Sequence, residues 1–251
     1  MKRTLLAAVA ALALFAATTA LAADKYGVYV APKLIYGYAM MDDVKLHGNY
    51  YGGLSGSGSG SAGKSRHDDT FGIGLALGYN FEAQFDMPLR VELEYALYDR
   101  VEGKASTGFD VTGGFYDRAE AKQKLDVQTL FFNAYFDIKT GTDITPYVGA
   151  GLGLAFIQSK ASTRYDFDIG SHNYLTNRDS TSRKNDTNFA WNVGAGIGWR
   201  VTDILTLDLG YRFVSLGGTK STSWESGQMS VRSKTEDLYM HQVALGLRCE
   251  F

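Results

Sequence analysis

Between Phe71 and Phe81 the chain reads Phe-Gly-Ile-Gly-Leu-Ala-Leu-Gly-Tyr-Asn-Phe, with a large apolar residue at every odd position and glycine, alanine or asparagine at every even one. Side chains alternate faces along a strand, so this is a strand with one apolar face and one small or polar face. Its two terminal aromatics stand ten residues apart. A tilted strand needs roughly 9–11 residues to cross a bilayer, and aromatics collect at both membrane interfaces.

Seven further segments carry the same apolar face: Tyr26 to Tyr36, Leu89 to Leu97, Leu130 to Ile138, Pro146 to Phe156, Phe189 to Trp199, Leu205 to Phe213 and Val243 to Phe251. In the fourth span, Leu130 to Ile138, Phe131 and Tyr135 fall on the opposite face, so a slip of one residue would invert it. Pro32 and Pro146 lie on the apolar face and are read as bulges, since proline cannot donate to a ladder. A soluble sandwich would also alternate, but its outward positions would be charged. Here the minor face is mostly glycine, alanine or asparagine, which favours a narrow closed barrel with lipid outside.

The first residues set the address. Lys2-Arg3 precede an apolar run from Leu5 to Phe15 and the small-x-small site Ala20-Leu21-Ala22, the pattern of a secretory signal peptide over residues 1–22. The run is shorter than the roughly 20 apolar residues of a spanning helix. Residues 23–251 then form one barrel domain. Removing Lys2 and Arg3 takes the formal charge from -2 to -4, which leaves no basic excess for nucleic acid. The only cysteine, Cys249, has no internal partner and reads as an ordinary position on the lipid face.

The connections alternate in length: long at about 42–69, 102–123, 158–187 and 215–236, short at about 82–88, 139–144 and 202–204. Short periplasmic turns and long extracellular loops have this rhythm. The expected fold is therefore all-β, an eight-stranded antiparallel transmembrane β-barrel with short periplasmic turns and four long extracellular loops. The tract Gly52 to Gly63, almost all glycine and serine, reads as a flexible coil.

Apolar faces turned outward leave Lys33, Arg90, Glu92, Glu94, Asn133, Asp137, Asn192, Arg200, Asp208, Arg212, Gln242, Arg248 and Glu250 for the lumen. Five are basic and five acidic. Side chains fill an eight-stranded barrel, and buried charges are costly unless paired, so a salt-bridged plug is expected around Lys33, Arg90, Glu92, Glu94, Asp208, Arg212 and Arg248. A gated ion path is the competing reading of the same set. Catalytic signals are thin: His47, His67 and His172 lie in serine-rich loops without the spacing of a triad or a metal site. No enzyme, cofactor or metal is expected.

Val91-Glu-Leu-Glu-Tyr95, Thr129-Leu-Phe-Phe-Asn-Ala-Tyr-Phe-Asp137, Pro146-Tyr-Val-Gly-Ala-Gly-Leu-Gly153, Trp191-Asn-Val-Gly-Ala-Gly-Ile-Gly198, Leu207-Asp-Leu-Gly-Tyr-Arg-Phe213 and His241-Gln-Val-Ala-Leu-Gly-Leu-Arg248 together resemble the opacity-type (Opa-like) family of outer-membrane proteins. The resemblance implies a Gram-negative outer-membrane barrel with four surface loops, which act as adhesins or surface antigens in pathogenic members. Val243 to Phe251 looks like the terminal aromatic signal read by the barrel-assembly machinery. The expected partners are thus outer-membrane lipid, that machinery and a host or surface receptor, with no nucleic acid and a monomeric state. Among the loop aromatics Tyr116, Tyr165, Phe167 and Trp224 are contact candidates, because aromatics are enriched at interfaces. The alternative function is a small porin with a narrow gated pore for ions or small solutes.

Overall fold

The structure, a computed structural model, describes residues 27–41, 44–50, 56–62, 66–111, 115–168, 180–217, 219–226, 229–235 and 238–251; its side chains are described for 27–40, 69–82, 84–100, 124–158, 160, 184–217 and 238–251. Residues 1–22, read as a signal peptide, lie outside the described residues.

Eight strands make the wall: β1 Val28–Met41, β2 Arg66–Asn80, β3 Leu89–Tyr98, β4 Phe115–Asp137, β5 Ile144–Asp168, β6 Ser180–Arg200, β7 Leu205–Ser215 and β8 Leu238–Glu250. Each pairs antiparallel with its chain neighbours. The β1–β8 pairing closes the sheet on itself. Closure removes the unpaired edges that an open sheet would expose, which is what a bilayer demands of a β-structure.

The registers give the stagger of the closed sheet. From Ile73 one row runs through Leu97, Gln128 and Phe156 to Thr187 on β6. In the other direction the row runs from Ile73 through Leu34, Leu245 and Leu209 to Ile197, ten residues further along β6. With about 3.3 Å per residue and 4.8 Å between strands, such a stagger over eight strands tilts them by roughly 40°.

Outward positions are large and apolar all round. Phe71, Leu93, Phe132, Leu152, Phe189, Ile197, Leu209 and Leu245 are exposed, while their even-numbered neighbours on β2, such as Gly72, Gly74, Ala76 and Gly78, are buried. On β4 Phe131 faces inward at 0% exposure and Phe132 outward at 56%, so the span keeps the frame set by its outward residues. Cys249 keeps the outward register and is only 1% exposed, lying between Val30 and Leu205 on its two neighbours, so its thiol is covered within the outward face.

Neither proline makes a bulge. The registers run unbroken through Pro32↔Leu75 on one side and Pro146↔Ile197 on the other. On its other side Pro32 leaves a gap: the β1–β8 ladder is silent at Ala31 and Pro32 and resumes in the same register at Lys33↔Gly246. The missing donor costs ladder bonds without shifting the strand.

Gly27, where the described residues begin, the C-terminal Phe251 and the short connections share one end of the barrel. Phe251 accepts from the Gly27 N–H at 3.1 Å and donates to the Val28 carbonyl at 2.8 Å. The β2–β3 connection holds one helical turn, Glu82–Phe85, stopped by Asp86 in the left-handed region at φ 52°. Lys139 in the β4–β5 connection reaches Asp86 at 2.6 Å and Glu82 at 3.4 Å, tying the two turns together. That hydrogen bond and charge lower the Asp86 carboxyl below its ordinary pKa and raise the Lys139 ammonium above its own.

At the far end the wall continues where the sequence reading placed loops. Strand Val101–Val111 pairs with the first half of β4, and β4–β5 pairing runs up to Tyr116↔Asp168. A second sheet, in the order Thr219–Ser226, Met229–Thr235, Val44–Tyr50, Gly56–Ala62, stands over the rest of the rim. Val44↔Thr235 keeps the register of the β1–β8 pairing below it. The glycine-serine tract is thus in part a paired strand, with Gly58 opposite Gly48.

Candidate functional site

The lumen is divided along its axis. The half nearer Gly27 and Phe251 holds charges, ion-paired in three groups with tyrosine rings between them. Lys33 bridges Glu92 and Glu94, the latter at 2.7 Å, and Arg212 reaches the other oxygen of Glu94 at 2.6 Å. Arg90 donates two parallel hydrogen bonds to Asp137, at 2.7 and 2.8 Å. Arg248 lies 3.3 Å from Asp208 and 3.4 Å from Glu250. The planar Arg fork explains the two-point contact with Asp137, which a lysine in the same place would not reproduce.

Aromatic rings complete the packing. The Arg90 guanidinium sits 5.1 Å from the Tyr135 ring centre and 4.9 Å from that of Tyr147, and the two rings meet edge to face at 5.5 Å. Tyr29 donates to Glu92 at 3.2 Å and carries Arg248 over its ring at 5.6 Å. The small inner face makes room for these groups. A Cβ at Gly78 would collide with Tyr29, one at Gly149 with Tyr135, and one at Gly196 with Tyr147.

All seven residues singled out for the interior, Lys33, Arg90, Glu92, Glu94, Asp208, Arg212 and Arg248, face the lumen together. Arg200 does not join them: it is exposed beside the short β4–β5 connection, its N–H bonded to the Asp143 carbonyl. What space remains between the charges is a cavity of about 50 Å³. It has room for a few waters, not a channel.

The other half of the lumen is apolar, which the sequence reading missed. Ile35, Phe131, Ile157, Val214, Leu216 and Met240 are buried there as one cluster. Gln242 is the joint between the halves, accepting from Arg212 at 2.6 Å and donating to Tyr98 at 3.1 Å. The signal was present in Phe131, whose place on the inner face was visible in the alternation. Charge on one side and an oily septum on the other give a core that fixes register and fills the lumen among the described residues.

The remaining candidates fall elsewhere. By backbone, Asp117↔Phe167 and Ala119↔Tyr165 bring Tyr116, Phe167 and Tyr165 to one end of the β4–β5 ladder, while Trp224↔Val231 lies in the second sheet. These four stand in strands rather than loops, and their side chains lie outside the described ones. The side chains of His47 and His67 do too, and His172 lies wholly outside the described residues.

A family described as "outer membrane protein beta-barrel domain" matches residues 7–251. Outer membrane protein PagN of Salmonella typhimurium is 29% identical over 211 residues, spanning 84% of this chain and 83% of that protein. A Rickettsia typhi protein named as an adhesin candidate is 24% identical over 184 residues, 68% of this chain and 78% of the other. The crystal structure of Neisserial surface protein A superposes with a TM-score of 0.50 at 19% identity, over 91% of this chain and 100% of that one, a likeness of fold.

Proposed function

Because this chain belongs to the outer membrane protein beta-barrel domain family, we propose that it is a non-enzymatic attachment protein, held in the outer membrane of its Gram-negative bacterium by a closed barrel and working through the wall that rises beyond it. One observation carries the reading. β4, β5 and β6 run for 23, 25 and 21 residues, about twice what a crossing needs, whereas β7 has 11. The surplus lifts a paired sheet clear of the lipid on one side, a rigid platform of the kind on which contact surfaces are built.

The Rickettsia relative's name supports attachment, and an opacity-type surface protein is the finer form of this reading. Monomeric insertion guided by the strand ending in Phe251 belongs to the same proposal. A narrow pore is not favoured, since the apolar septum stands across the lumen. The test is adherence of bacteria displaying the full chain against bacteria displaying a form in which residues 103–121 and 161–182 are replaced by short turns. Adherence falling to background, with the barrel still shifting mobility on heating, supports the proposal. Unchanged adherence overturns it.

A further inference from the structure

The two short connections at the Phe251 end that touch each other differ in kind. The β4–β5 connection is polar throughout, Lys139-Thr-Gly-Thr-Asp143. The β2–β3 connection carries Phe85 and Met87, which stand 57% and 48% exposed. Large apolar side chains next to one another on a rim of polar turns mark a surface that something covers.

Aromatic contacts set the direction in which Phe85 stands. Tyr79 and Phe81 continue the outward parity of Phe71 to Leu77, and their rings meet edge to face at 4.8 Å. Phe85 adds a third ring, centred 6.0 Å from that of Phe81. The Tyr79 hydroxyl donates to the Gln84 side chain at 2.5 Å, which draws the helical turn back against the outer face of β2. The lipid-facing column thus runs off the end of its strand and onto the turn. At the ends of β4, β5 and β6 the exposed residues Ile138, Ile144 and Val201 carry the same band to the same rim.

The turn is held rigidly from its polar side. Lys139 binds both Glu82 and Asp86, the first and the stopping residue of the helical turn. The Phe81 N–H donates to the Leu89 carbonyl at 2.9 Å, and the Asp137 N–H to the Pro88 carbonyl at 2.9 Å, so both limbs are fastened to the wall. Phe85 and Met87 are therefore presented on a fixed projection.

We infer that the β2–β3 connection is a foot seated in the phospholipid leaflet at this end of the barrel, with Phe85 and Met87 entering the boundary between headgroups and acyl chains. Short connections of outer-membrane barrels lie on the periplasmic side, so this is the inner leaflet. Apolar side chains gain by sinking a few ångströms past the headgroups, while the carboxylates of Glu82 and Asp86 stay wet beside Lys139. A leaflet fits better than a protein partner, because the rings of Tyr79 and Phe81 join Phe85 to the wall that lipid already covers. The Lys139 clamp passes the hold to the β4–β5 connection, so the foot fixes the depth of both turns. The inference rests on the barrel's place in the outer membrane and not on the attachment reading.

Nitroxide labels on the full barrel, refolded into vesicles of phosphatidylethanolamine and phosphatidylglycerol, test this. Each label goes on a single thiol in a Cys249→Ala background: Phe85→Cys or Met87→Cys for the foot, Leu77→Cys for the lipid-facing wall and Asp143→Cys for the polar turn. Oxygen enters the acyl region whereas a polar nickel chelate stays in water, so the oxygen-to-nickel collision ratio at 85 and 87 should exceed that at 143 by roughly threefold or more and approach that at 77. Lys139→Gln should lower the ratio at 85 to about half or less and leave 77 unchanged, because a freed turn tips toward water. Met87→Cys gives the answer if Phe85→Cys loses the heat-dependent mobility shift. A ratio at 85 or 87 equal to that at 143, with 77 high, overturns the foot. A low ratio at 77 as well overturns the lipid-facing wall, and the foot with it, and a ratio at 85 unmoved by Lys139→Gln overturns the clamp.

Discussion

Tyr29 on β1 lies across the inner face of Gly78 on β2, occupying the space that a Cβ at residue 78 would take. One strand is small there because its neighbour is large. The glycine therefore serves the packing of the lumen, and Tyr29, at 0% exposure, has nowhere to withdraw. Gly78→Ala should destabilise the barrel by about 1–3 kcal/mol through overpacking. Combining it with Tyr29→Leu should recover part of that loss, since the clash is removed with the ring. Urea unfolding in lipid vesicles measures both, and additive losses would refute the coupling.

Lys33 is the only cation touching both Glu92 and Glu94 among the described residues. Lys33→Met leaves Glu92 without its ion pair inside the barrel. A loss of about 3–5 kcal/mol is expected, the usual cost of stranding one partner of a buried pair. Lys33→Met with Glu92→Gln should be markedly milder than Lys33→Met alone. The same unfolding assay reads the difference.

The septum predicts an electrical result. The wild-type barrel should give no discrete openings in a planar bilayer at ordinary voltages. Truncating Ile35, Phe131 and Met240 to alanine together removes much of the apolar block and should admit water and produce measurable ion leakage. Steady openings from the wild-type chain would show that the septum does not seal.

The turn pair responds to pH at both extremes. Asp86 has a folded pKa below its unfolded one, so its contribution is complete above the ordinary aspartate pKa and is lost as pH falls through the lower folded value. Lys139 has a raised folded pKa, so its share is present below the ordinary lysine pKa and is lost as pH rises through the raised value. In an NMR titration of the barrel in micelles, Lys139→Met should return the Asp86 carboxyl upward to an ordinary aspartate value.

Strand identity was legible because a period of two is local: Phe71 to Phe81 announces its two faces without reference to any other segment. The charged lumen followed from parity alone, as Arg90, Glu92 and Glu94 show. The septum was harder. Ile35, Phe131, Ile157 and Met240 share the inward parity of the charges, and which of them meet in one cross-section depends on the stagger of the closed sheet, a property no single strand carries. The rising wall was hidden for another reason. Gly56–Ala62 has no side-chain pattern to mark it as a strand, and only its pairing with Val44–Tyr50 makes it one.

The ten-residue stagger bears on which membrane suits this barrel. Ten residues from Phe71 to Phe81 measure about 33 Å along the strand, but a lean of roughly 40° shortens their vertical reach to about 25 Å. That is the height of the apolar band on outer-membrane barrels, and about 5 Å less than the hydrocarbon thickness of an average bilayer. The chain's tilt thus acts as a ruler cut for a thin membrane, and a thicker one would have to pinch inward to meet its aromatic edges.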